Sequence, residues 1–269
     1  MPTMCARASS LIGLMLVPSA ALAGAWTMPE GKGQVIVSAT ASRTDKSFDA
    51  HGDLQSTPRY NKQELQALIE YGVTDRFTAI FAPGLQRVEI GPPVDARRTG
   101  LGLTEFGGRV RLLQGEAQDF SWVVSAQTTM RIPGTYDTGN PAAVGYTGME
   151  VDMRGLVGAS FSAGGWPAFV DFQLAQRFRT GGPPSELRAD ATFGVRPDPH
   201  WGLLAQSFNV FSQGDGSPPF TSTNYHKLQM SVVYYLTEQL AVQGGLFTTV
   251  AGRNALQENG LVLGAGYKF

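Results

Sequence analysis

The run Glu64-Leu65-Gln66-Ala67-Leu68-Ile69-Glu70-Tyr71-Gly72-Val73 decides the fold class. Read with a period of two, it sets Leu65, Ala67, Ile69, Tyr71 and Val73 on one face and Glu64, Gln66, Leu68 and Glu70 on the other. Read with a helical period, it would place glutamates inside the apolar stripe, so the strand reading prevails. The same split recurs in Trp122, Val124, Ala126, Thr128, Met130 and Ile132 against Ser121, Ser125, Gln127, Thr129 and Arg131. It recurs again in Leu187, Ala189, Ala191, Phe193 and Val195 against Arg188, Asp190 and Thr192.

Extending outward from these windows, the alternation predicts strands at 33–42, 60–73, 77–87, 101–112, 120–133, 150–161, 167–178, 186–195, 201–211, 225–236, 240–250 and 260–269. Short connections fall at 74–76, 114–119, 162–166, 196–200 and 237–239. Longer ones, rich in Gly, Pro and Asp, fall at 44–59, 88–100, 134–149, 179–185, 212–224 and 251–259. Short and long connections in strict alternation, with an even strand count, are the requirement for a bacterial outer-membrane barrel. The expected fold is therefore all-β, a closed antiparallel transmembrane β-barrel of about 12 strands with both termini periplasmic.

Composition agrees. Charged residues make up 16% of the 269 residues, against roughly 25% in a soluble domain, and Gly is present at 33 positions. With 21 Lys+Arg against 22 Asp+Glu there is no basic footprint, which argues against nucleic acid as a partner. Outside the short N-terminal apolar run, no apolar stretch approaches the 18 or so residues of a spanning helix, which excludes an inner-membrane helical protein. A soluble lipocalin-like barrel would carry its polar face outside and close with fewer strands.

The first 23 residues read as a secretory leader. Arg7 is the only charge before Glu30, Leu11 to Val17 form a short apolar run, and Ala21-Leu22-Ala23 supplies the small residues that signal peptidase reads. Cleavage is expected after Ala23, leaving a barrel domain at 24–269 with 20 basic and 22 acidic side chains. Cys5 lies in the leader, so the processed chain would have no disulfide, thiolate ligand or thiol nucleophile.

Two patterns at the strand ends fit a bilayer. Tyr71, Phe77, Trp122, Phe161, Trp166, Trp201, Tyr234, Tyr235 and Tyr267 fall at predicted periplasmic ends, where an aromatic girdle is expected. The final strand puts Leu261, Leu263, Ala265, Tyr267 and Phe269 on one face. Its ending on Tyr267 and Phe269 resembles the terminal signal that delivers outer-membrane barrels to their assembly machinery.

The candidate lumen residues are Arg109, Arg131, Asp152, Arg154, Asp171, Arg177, Arg188 and Asp190. Across predicted strands four to eight, these together with Arg111 and Glu105 give six arginines against four carboxylates, an imbalance that predicts weak anion preference in any pore. The facing wall offers Gln229, Ser231, Gln243 and Thr249. The same charges also suit an Arg/Asp ladder that plugs and stiffens the barrel.

Signals for enzyme chemistry are weak. Of the three histidines, His51 and His200 lie in connections, and only His226 has a suitable depth, with Ser222 and Asn224 near it in sequence. Asp45, Asp49 and Asp53 do not follow a calcium-loop spacing. Gly100-Leu101-Gly102 and Gly264-Ala265-Gly266 lack the following helix or Lys of a phosphate loop, and no cofactor is expected.

The segment Ala25-Trp26-Thr27-Met28-Pro29-Glu30-Gly31-Lys32-Gly33-Gln34-Val35-Ile36 resembles the start of outer-membrane barrels in the family named for the meta-pathway of phenol degradation. The resemblance implies a barrel placed among outer-membrane lipid and lipopolysaccharide, and passage of a small-molecule solute, organic or aromatic. The competing expectation is a non-conducting structural or interaction barrel that works through its long surface loops.

Overall fold

The computed structural model describes residues 24–134, 140–142, 148–217 and 220–269, and every regular element among them is a strand. The strands are β1 (Gly33–Phe48), β2 (Leu54–Thr74), β3 (Phe77–Ala82), β4 (Gly84–Ile90), β5 (Ala96–Leu101), β6 (Thr104–Ala117), β7 (Phe120–Ile132) and β8 (Glu150–Ala163). They continue as β9 (Trp166–Arg179), β10 (Ser185–Val195), β11 (Trp201–Gln213), β12 (Asn224–Tyr235), β13 (Leu240–Arg253), β14 (Ala255–Leu256) and β15 (Asn259–Lys268). All pairings are antiparallel: β2 pairs with β1, β3 and β4, β3 continues to β6 and β4 to β5, β6 to β13 pair in chain order, and β13 pairs with β15. β1 then pairs with β15 from Gln34↔Lys268 to Arg43↔Asn259, which closes the sheet on itself.

The fifteen segments make a closed barrel of twelve strands, because three barrel strands are interrupted. Pro83 separates β3 from β4: proline has no N–H to give the ladder. Its carbonyl still accepts the Ala67 N–H at 3.0 Å, and β2 pairs with β4 above the break and β3 below it. Gly102 and Leu103 interrupt the next barrel strand at the same level, and the Gly102 N–H donates to the Gly84 carbonyl at 2.9 Å. The third interruption splits β14 from β15 at the tip of β1.

The expected loops at 44–59 and 88–100 are mostly strand. Only residues 49–53 and 91–95 lie outside β1, β2, β4 and β5, and ladder pairs such as Ser47↔Gln55 and Glu89↔Arg97 occupy the rest. Strand pairing outlasts the apolar alternation, because above the bilayer both faces are wet while the backbone still needs partners. At 21 residues, β2 is about twice as long as the 9–11 that cross a bilayer. The expected loop at 134–149 falls largely outside the described residues.

The alternation sorts side chains as the sequence demands. Met230 and Leu246 point outward at 64% and 70% exposure, while their neighbours Gln229, Ser231 and Gln243 turn inward. One girdle residue departs from expectation: Tyr235 is buried inside the barrel, with the Arg196 guanidinium 4.2 Å from its ring centroid. Tyr234 keeps the interfacial position, packed on Trp201 at 4.7 Å. Adjacent tyrosines on a strand must face opposite sides, so one of the two could not belong to the girdle.

Candidate functional site: the occupied lumen

The sequence before β1 does not leave the barrel; it enters it. Gly31 and Lys32 exchange backbone hydrogen bonds with Gly72, whose missing side chain permits the approach: a Cβ there would sit 2.0 Å from the Pro29 carbonyl oxygen. The Met28 N–H donates to Thr78 Oγ1 at 2.8 Å and the Thr27 hydroxyl donates to the Asp75 carbonyl at 2.8 Å. Beyond Thr27 the segment crosses to the far wall. There the Ser125 hydroxyl donates to the Ala25 carbonyl at 2.6 Å and the Ala25 N–H donates to Asp171 Oδ2 at 2.7 Å.

Trp26 is the centre of this strap. Its ring meets Phe169 edge-on at 6.4 Å and packs against two buried apolar clusters, Val123 with Leu156 and Phe169 with Leu204, Val233 and Tyr235. Gly158 lies beneath the indole, and a Cβ on it would come 2.6 Å from the ring. This part of the lumen is a dry core rather than a water path, a feature the sequence reading did not foresee.

The charged residues expected in the lumen are there, and the structure pairs most of them. Arg109, 1% exposed, donates to Glu70 at 2.7 Å, to Gln127 at 3.0 Å and to the Trp26 carbonyl at 2.9 Å. Arg131 bridges Glu105 at 2.8 Å and Glu150 at 2.5 Å. Arg177 reaches Asp152 at 3.0 Å, and Arg154 reaches Asp152 at 3.2 Å and Asp190 at 3.0 Å. Asp171 is held by the Gln173 amide at 2.6 Å and by Ala25. Arg188 stands apart, its Nε buried without a hydrogen-bond partner.

The pairing of the inward-facing Glu70 with Arg109 escaped the sequence reading, as did three further members of the network, Glu150, Arg179 and Glu186 at strand ends. Arg179 joins Glu150 at 3.0 Å to Glu186 at 2.6 Å. Including these three and Glu70 gives seven arginines against seven carboxylates along this stretch of the wall. The signal that could have found the last three was cross-strand register, since Glu150 lies opposite Arg131 on one side and Arg179 on the other.

Beside the strap a cavity of about 440 Å³ remains. On one side it meets Arg154, Asp171, Gln173 and Asp190; on the other it meets Gln34, Gln66, Gln206, Gln229 and Gln243, with Phe208 and Val233 between. A second cavity of about 480 Å³ lies against the strand break, lined by Lys62, Glu64, Gly84, Gly102, Glu105 and Arg131 among others. His226 bonds Asn209 through Nδ1 at 2.8 Å and meets Phe211 edge-on. The Asp49 carboxylate accepts the His51 and Asp53 N–H groups within its own turn.

No protein-family model matches the chain, and no curated protein does. The fold, however, is shared with solved structures. The COG4313 outer membrane channel from Pseudomonas putida F1 superposes with a TM-score of 0.75 at 18% identity, over 91% of this chain and 98% of that one. The transport unit of the autotransporter AIDA-I from Escherichia coli is a looser likeness, with a TM-score of 0.47 at 7% identity, over 88% and 90% of the two chains. The fold is thus that of a bacterial outer-membrane β-barrel.

Proposed function

We propose that the chain is an outer-membrane channel for small organic solutes, closed at rest by its own N-terminal strap. The observation that carries this reading is the cavity of about 440 Å³, walled by glutamines and apolar side chains, that lies beside a strap held by a few hydrogen bonds. Its size lies in the range of small-ligand sites. Glutamine side chains in the wall donate and accept hydrogen bonds without imposing a charge, and apolar side chains make up much of the rest of the lining. Both favour uncharged or weakly polar solutes over ions. An aromatic solute could occupy the apolar ground that Trp26 holds in the closed form. The likeness to a barrel that is itself an outer membrane channel, and the resemblance of the opening motif to a transport-related family, support the reading.

The test is conductance and liposome swelling with protein purified from outer membranes, wild type against Trp26→Ala. The variant should pass solute faster and open more often, with heat-modifiable mobility unchanged. If neither form passes ions or neutral solutes, the reading fails, and the non-conducting barrel that works through its outer ends takes its place.

A further inference from the structure

Three of the buried carboxylates in the lumen have an arginine close by: Glu70 has Arg109 at 2.7 Å, Glu150 has Arg131 at 2.5 Å and Asp152 has Arg177 at 3.0 Å. Asp171 differs. It is 2% exposed, and among the described residues no cationic nitrogen lies within 4.0 Å of it; its oxygens accept only the Ala25 N–H and the Gln173 amide. A carboxylate removed from water calls for a counter-charge.

We infer that processing supplies it: cleavage after Ala23 creates an α-ammonium on Gly24 that forms an ion pair with Asp171 and locks the strap in the lumen. The inference rests on the strap reading above. Covalent geometry puts the Gly24 nitrogen about 3 Å from the Ala25 nitrogen, which itself lies 2.7 Å from Asp171 Oδ2. Gly24 has no side chain to obstruct rotation into contact. In the precursor the same atom is an uncharged amide nitrogen that continues into the leader. Hydrolysis by the leader peptidase adds one water across the Ala23–Gly24 amide. Ala23 departs as a carboxylate and Gly24 keeps the amine, protonated. The strap then becomes competent to lock only after the chain has been exported and cut, so closure is tied to maturation.

The experiment uses the full chain, expressed with its leader and purified from outer membranes. N-terminal sequencing should begin at Gly24. The probe is 2-pyridinecarboxaldehyde, which condenses with an N-terminal amine and closes onto the amide nitrogen of residue two, here the Ala25 nitrogen that Asp171 engages. The folded wild type should react roughly tenfold or more slowly than the heat-unfolded wild type, a ratio in keeping with a charge-assisted bond. Asp171→Asn should lose that protection while keeping heat-modifiable mobility, and Asp190→Asn should retain it. The comparison of folded with unfolded wild type stands even where Asp171→Asn fails to assemble. A start other than Gly24, a freely reactive amine in the folded wild type, or protection lost in Asp190→Asn but not in Asp171→Asn overturns the inference. If the amine proves reactive while Trp26→Ala still raises solute flux, the ion pair fails and the strap reading survives; if Trp26→Ala changes nothing, the strap reading itself fails.

Discussion

Replacing Glu70 by Gln should be among the most damaging single-atom changes available in this barrel. Glu70 is fully buried and accepts the Gln34 amide at 2.5 Å and the Arg109 guanidinium at 2.7 Å. The substitution keeps the shape but leaves Arg109, itself 1% exposed, with no carboxylate. Breaking a buried pair by removing one partner costs about 3–5 kcal/mol. The amide oxygen of the new Gln can still accept one hydrogen bond, so the lower end, about 3 kcal/mol, is expected. Arg109→Met strands the opposite charge and should cost a similar amount. The double variant carries no unpaired charge, so its cost should fall short of additivity by about 2–3 kcal/mol.

Urea unfolding in lipid vesicles, followed by tryptophan fluorescence, measures all three. A second readout separates charge from strap. Arg109→Met removes the Nη1 that holds the Trp26 carbonyl at 2.9 Å and should raise conductance, whereas Glu70→Gln leaves that donor in place and should raise it less. Additive costs, or single costs below about 1 kcal/mol, would refute the claim that this pair is dry and would mean that lumen water solvates both charges.

On the lipid face, Met230→Arg should destabilise the barrel by about 2–4 kcal/mol, whereas Gln229→Arg, one residue away and facing the lumen, should fold with little loss; equal effects in the same unfolding assay would contradict the facing. Deleting Phe269 removes two backbone bonds to Gly33, each of 3.0 Å, at the seam where the barrel closes, and should yield a heat-labile, protease-sensitive product. Normal assembly of that deletion would dismiss the role given to the terminal aromatic.

The barrel itself was legible because period-two alternation is written residue by residue: Leu65 to Val73 and Trp122 to Ile132 face the sides their pattern assigns. What misled was the boundary between strand and loop. Lys46, Gln55, Glu89 and Arg97 read as loop, yet all four sit in ladders that extend past the bilayer, where pairing no longer needs an apolar face. In the lumen, Arg109, Arg131 and Arg154 could be recognised as inward-facing, but their partners could not. Pairing depends on register across strands far apart in sequence, as with the 39 positions between Glu70 and Arg109. Tyr235 shows the same limit. Two adjacent tyrosines at a strand end both look interfacial, and only the register decides which one turns in.

The strap was illegible for a different physical reason. An inward-facing Val123, Leu156 or Val233 breaks the polar-inside pattern, and in the sequence alone each looks like an ordinary irregularity. Together they make sense only once Trp26 is placed among them, since an apolar patch lining an empty pore would face water with nothing to cover it. Gly158 and Gly72 carry the complementary message, being small where the indole and the strap backbone press against the wall. The inner surface of the barrel therefore offers two kinds of ground, an apolar patch under Trp26 and a cavity rich in glutamines beside it. Under the channel reading proposed above, Trp26 covers the apolar patch and the cavity beside it receives the solute, so a solute can enter without disturbing the wall.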